Sequence, residues 1–194
     1  MDLPLSVLSQ VTAILDHMSI PYVLVGSFAS SIHGMYRSTA DIDILADIKA
    51  AQVGPLFEAL QDSFYVDQQA MRDAVAQRHS FNPIHFDSVF KVDFFIPKSE
   101  FALEQLNRRV LRRISPDGNE VVYIATAEDT ILAKLQWYEA GNQTSTNQWN
   151  DVVGILGTSR HTLDFEYLRV WADKLGVTDL LEKASSDAQE DSGT

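Results

Sequence analysis

Asp41 and Asp43 stand one residue apart in the apolar run Asp41-Ile42-Asp43-Ile44-Leu45, and a third aspartate recurs in Lys91-Val92-Asp93-Phe94-Phe95. In a strand, alternate side chains project to the same face, so Asp41 and Asp43 point together while Ile42 and Ile44 enter the core. Two neighbouring carboxylates repel unless something positive sits between them, and a divalent metal is the usual answer. The plain alternative is a half-exposed sheet with polar outer positions. Against it, aspartate is among the poorest strand residues, so two on one face amid isoleucine need a further reason. Three such aspartates can bind two metals about 3.5–4 Å apart that clamp attacking and leaving oxygens. Asp41 and Asp43 then hold the nucleotide's metal, Mg2+ or Mn2+. Asp93 completes the second site and accepts the nucleophile's proton.

A phosphate site is legible upstream. The β run Tyr22-Val23-Leu24-Val25 stops at Gly26-Ser27, and a small-residue helix follows to His33, ended by Gly34. Glycine at a strand-to-helix junction lets backbone approach a ligand, and the helix N-terminus offers N–H groups and a favourable dipole to phosphate. Ser27 adds a hydroxyl, although serine is equally an ordinary helix cap. Arg37 and Thr39 sit in the loop before Asp41. A guanidinium there neutralises triphosphate charge, or it is a surface arginine.

These residues need elements to position them. Leu5 to Met18 carries apolar residues at helical spacing, Asp41 to Ala46 reads as a strand, and Ala50 to Leu60 and Asp67 to Arg78 read as helices. Ser80 to Phe86 and Phe90 to Ile96 form two β runs about Asp87-Ser88-Val89, and Arg108 to Ile114 and Glu120 to Ile124 flank the turn Pro116-Asp117-Gly118-Asn119. From Thr126 the period is helical: Ala127 to Glu139, Gln148 to Leu156 and Phe165 to Lys174, with Trp137, Tyr138 and Trp149 expected in the packing. The expected organisation is an α/β core over 1–125, a helical subdomain over 126–184 and a flexible acidic tail over 185–194.

Composition narrows the partners. The 194 residues carry a formal net charge of −12, contain no cysteine and are 45% hydrophobic. Such a surface disfavours broad nucleic-acid binding, while Arg108, Arg109, Arg112 and Arg113 leave a local RNA contact open. Disulfides and cysteine-based metal sites are excluded. Without a membrane-length apolar run or a secretion signal, the expectation is a soluble, cytoplasmic protein.

The string Val25-Gly26-Ser27, thirteen residues, then Asp41-Ile42-Asp43-Ile44, resembles the signature of the DNA polymerase β-like nucleotidyltransferase superfamily, with Asp93 matching its third carboxylate. The resemblance implies a nucleotidyltransferase-like mixed sheet flanked by helices, a nucleoside triphosphate with magnesium, and transfer of a nucleoside monophosphate with pyrophosphate release. Thr126 to Leu135 and Gln148-Trp149-Asn150-Asp151-Val152 are similar to later motifs of the AbiEii/AbiGii-type toxin branch. There a helix lysine contacts the triphosphate and a later aspartate lies near the active site. Lys134 and Asp151 are the matching positions. Gln148-Trp149-Asn150 replaces the charged residues of that branch before Asp151. The expected acceptor is a hydroxyl of a protein, an RNA end or a small molecule. A toxin of a toxin–antitoxin pair and a non-catalytic nucleotide-binding module of the same fold are the alternatives.

Overall fold

In the computed structural model, residues 3–34, 41–114 and 120–191 are described. The chain divides into two units, Met1–Val25 with Thr39–Ala125, and Gly26–Ser38 with Thr126–Thr194.

The first unit is built on a mixed sheet, eight-stranded among the described residues. Its centre is β1 (Tyr22–Leu24) and β2 (Asp41–Ala46), paired antiparallel. On one side β2 pairs in parallel with β6 (Lys91–Phe95). On the other, β1 pairs in parallel with β8 (Val121–Ile124), which pairs antiparallel with β7 (Val110–Arg113). Three two-residue strands, β3 (Phe64–Tyr65), β4 (Ser80–Phe81) and β5 (Ile84–His85), finish the β6 edge. The β run expected from Ser80 to Phe86 is broken at Asn82-Pro83, because proline has no N–H to give a ladder. The pairing of β7 with β8 encloses the turn expected at Pro116 to Asn119, which lies outside the described residues.

Helices cover this sheet because their apolar residues recur on one face. In α1 (Leu3–His17), Val7, Leu8, Val11 and Leu15 are fully buried. A single 3-10 turn (Ala50–Gln52) leads into α3 (Val53–Leu60), where Pro55 sits in the first turn, the position proline tolerates. Helix α4 (Gln68–Gln77) is capped by Asp67 and closed by Arg78 in a left-handed conformation. Helix α5 (Glu100–Arg108) was not legible in the sequence. It starts at the Ser99 cap and takes Arg108 out of the expected strand.

The second unit is helical: α2 (Gly26–His33), α6 (Ala127–Ala140), α7 (Thr146–Ser159), α8 (Phe165–Leu175) and α9 (Thr178–Asp191). Thr126 caps α6, its hydroxyl accepting from the Asp129 N–H at 3.1 Å, and Ile131, Leu132 and Leu135 are buried below it. The division departs from the expected 1–125 core at one segment, since α2 belongs with α6 and α7. Thr158 Oγ1 and Ser159 Oγ both donate to the His33 carbonyl, at 3.0 and 3.1 Å. A Cβ on Gly34 would lie 3.1 Å from Ile155 Cγ1, so glycine permits the close approach of α2 to α7.

Two expectations are corrected here. The tail expected from Ser185 is helical as far as Asp191, with Ala184 and Ala188 buried against the rest of the unit. Tyr138 and Trp149 pack together as expected, ring centroids 5.1 Å apart, and Trp149 Nε1 donates to Asp187. Trp137, however, is exposed, because it lies on the outer face of α6.

Candidate functional site

The parallel pairing of β2 with β6 sets Asp43 directly beside Asp93 and Asp41 beside Lys91. Between them Ile42, Ile44, Val92 and Phe94 are fully buried, while all four charged residues are partly exposed. The alternation argument therefore holds on both strands, and the register does what neither strand could do alone. It puts three carboxylates from two distant segments on one sheet face.

Lys91 shares that face and was missed from the sequence. Its signal was parity: it precedes Asp93 by two residues, so the two side chains point together. The ammonium stands 2.8 Å from Asp93 Oδ2. The hydrogen bond to Asp93 holds Lys91 above its ordinary range against the opposing effect of burial, with further help from the charges of Asp93, Asp41 and Asp43.

Among the described residues, no three His, Cys, Asp or Glu side chains are gathered closely enough to hold a metal ion as they stand. Asp41, Asp43 and Asp93 supply anionic oxygen donors, the type a hard divalent cation takes, at neighbouring register positions.

The Val25 N–H donates to the Asp43 carbonyl at 2.9 Å, and the chain leaves the sheet at the next residue. Gly26 makes that exit with φ of +63°, a conformation that costs an L-residue with a Cβ about 1–2 kcal/mol. Gly26→Ala is thus expected to lower stability by about that amount, read as a shift in the urea midpoint; an unchanged midpoint would contradict the strain. Within α2, Ser30 Oγ and Ser31 Oγ both donate to the Ser27 carbonyl, at 3.0 and 2.9 Å.

Lys134 and Asp151, expected at the triphosphate, are bonded to each other inside the helical unit. Lys134 Nζ lies 2.7 Å from Asp151 Oδ2, with the two side chains only 4% and 8% exposed. Gln148 Oε1 accepts a further bond from Lys134 at 3.1 Å, and Ser30 Oγ donates to Asp151 Oδ2 at 3.1 Å. The pair thereby ties α6, α7 and α2 together. Ser30 and Gln148 gave no signal in the sequence, since neither type is diagnostic without its partner. Arg37 and Thr39 lie outside the described residues.

The arginine cluster is divided by the fold. Arg108 ends α5, Arg109 lies over the Tyr123 ring at 4.7 Å, and Arg112 and Arg113 are exposed on β7. Among the described residues no helix is long and apolar enough to cross a membrane.

No protein-family model matches the sequence, and neither does any curated protein. The fold is nevertheless shared with solved structures. The antibiotic-resistance factor ANT(2'')-Ia in solution is similar at 13% identity and a TM-score of 0.59, covering 94% of this chain and 97% of its own. A crystal structure of ANT(2'')-Ia in complex with adenylyl-2''-tobramycin matches at 12% identity and a TM-score of 0.54, covering 88% and 95%. An antigenic nucleotidyltransferase-like protein from Paracoccidioides brasiliensis matches at 14% identity and a TM-score of 0.55, covering 93% and 92%. The chain therefore has a nucleotidyltransferase-like fold, a mixed sheet flanked by helices.

Proposed function

We propose that the chain is a nucleotidyltransferase that moves a nucleoside monophosphate from a nucleoside triphosphate to a hydroxyl group. The observation that carries this reading is the register of β2 and β6, which brings Asp43 beside Asp93 with Asp41 on the same face. Polar outer positions alone would not require three carboxylates there, and aspartate is disfavoured at each of them. The shared fold supports the reading, as does the adenylyl-2''-tobramycin in complex with ANT(2'')-Ia.

In this reading the acceptor oxygen attacks the α-phosphorus, forming a new P–O bond as the bond to the bridging α–β oxygen breaks. Pyrophosphate leaves, and the hydroxyl proton passes to the Asp93 carboxylate. Asp41, Asp43 and Asp93 are the residues that would hold Mg2+ or Mn2+. When bound, that ion supplies charge neutralisation at the phosphoryl oxygens. The backbone of Gly26 and the Ser27 hydroxyl, at the start of α2, take the phosphates, together with Arg37 and Thr39. The protein's own contribution is positioning and charge, with no covalent intermediate. We assign Lys134 and Asp151 to holding α2 in place, because their charges already satisfy each other. The resemblance to the AbiEii/AbiGii-type branch rested on the stretches Thr126 to Leu135 and Gln148 to Val152, whose matching charges Lys134 and Asp151 bond to each other, so we favour a transferase with a small hydroxylated acceptor. The acidic chain disfavours a large RNA acceptor.

Melting of the chain with each nucleoside triphosphate, with and without Mg2+, tests the reading. Stabilisation is expected only when both are present, about 2.7 kcal/mol at a hundredfold excess over Kd. A shift that is the same without metal would favour a non-catalytic module. Incubation of the chain with labelled nucleotides and a cell extract then identifies the acceptor. Label in the small-molecule fraction is expected; label in RNA or protein would redirect the acceptor assignment.

A further inference from the structure

Among the described residues the sheet ends at β7, which is bonded to β8 on one side only. The Ile114 N–H donates to the Glu120 carbonyl at 3.0 Å. Antiparallel pairs alternate, so Arg112 and Val110 also turn their backbone groups toward β8. Leu111 and Arg113 turn theirs outward, where an edge strand offers donors and acceptors to another chain. From Leu111 to Arg113 the residues of this edge are exposed.

Their chemistry narrows what can lie there. Within a chain of net charge −12, Val110–Arg113 brings two arginines and no acid. Among the described residues neither Arg112 nor Arg113 makes an ion pair. Charged side chains on an edge commonly repel other strands. Here, however, Leu111 is 51% exposed and Val121, on β8, 43%. The register sets Leu111, Arg113 and Val121 on one sheet face, and an edge built purely for repulsion has no use for that apolar surface. A second copy of β7 laid antiparallel brings arginine opposite arginine, Arg112 on Arg112 when the strands centre there, and like charges across strands are destabilising. RNA phosphates would satisfy the guanidinium groups, yet they carry no alternating row of donors and acceptors and leave Leu111 bare.

We propose that β7 is a docking edge for an acidic, extended segment of another protein. The segment adds as a further strand, its backbone bonded to Leu111 and Arg113. Apolar side chains lie opposite Val110 and Leu111, and carboxylates opposite Arg112 and Arg113. The carboxylates fix the register, because the planar fork of arginine holds a carboxylate by two parallel bonds.

The probe is a synthetic octapeptide of repeated Glu-Glu-Val-Val, capped at both ends and titrated into the full-length chain by calorimetry. One peptide per chain is expected to bind, slowing amide exchange at Leu111 and Arg113 by about tenfold or more. Arg112→Glu with Arg113→Glu is expected to weaken binding by about tenfold or more. Arg112→Gln with Arg113→Gln takes its place where the charge-reversed variant does not fold. The same peptide with every backbone nitrogen methylated keeps its charges and is expected not to bind, since it cannot pair as a strand. Equal binding of the methylated peptide, unchanged exchange at both amides, or no binding of the parent peptide overturns the proposal. So does tighter binding of a uridylate octamer, which would make the edge an RNA contact. Self-association of the chain that the arginine substitutions abolish overturns it as well.

Discussion

Replacing Asp41 and Asp43 together by asparagine is expected to lower nucleotide transfer by at least ~10^3-fold, because charge neutralisation by a metal ion is worth several kcal/mol and each 1.36 kcal/mol is tenfold in rate. The amide keeps the size of each side chain, so the alternation of β2 survives. Folding is expected to survive, since both side chains are partly exposed and the apolar face of β2 is untouched. Steady-state transfer, measured beside a thermal melt, separates the two effects. Activity within tenfold of the wild type, in a folded variant, would mean that these carboxylates do not carry the chemistry.

The second large effect concerns stability. Lys134→Met and Asp151→Leu, made singly, are each expected to cost about 3–5 kcal/mol, because either one strands a buried charge. The double variant is expected to recover most of that loss, since an apolar pair of similar volume needs no charge partner. Urea denaturation of the wild type, both single variants and the double variant gives the coupling directly. If both single variants fall within about 1 kcal/mol of the wild type, the pair behaves like a surface salt bridge, at odds with its 4% and 8% exposure.

Much of this architecture was legible because its signals are local. The strand Asp41–Ala46 follows from alternation alone, and α6, α7 and α8 from apolar spacing. What escaped depends on partners distant in sequence. The strand β3 is two residues long and exists only because β5 pairs with it. Helix α9 buries Leu180, Leu181, Ala184 and Ala188, and alanine gives a strong helix preference but little hydrophobic contrast. The acidic and serine-rich remainder of α9 therefore reads as tail until its apolar stripe is seen against the other helices. At the candidate site, the three aspartates could be named from their setting, but not their register, which sets Asp43 beside Asp93 and admits Lys91. Lys134 and Asp151 were visible as individual charges. Their pairing was not, because it needs two helices to be brought into contact.

The assignment of α2 to the helical unit has a consequence for how the molecule is made. Ser30 must wait for Asp151, which emerges 121 residues later. At roughly 5–20 residues per second, synthesis leaves Ser30 without Asp151 for about 6–24 seconds. A fragment that stops at Ala125 includes every strand of the described sheet but lacks Asp151, the partner of Ser30 in α2.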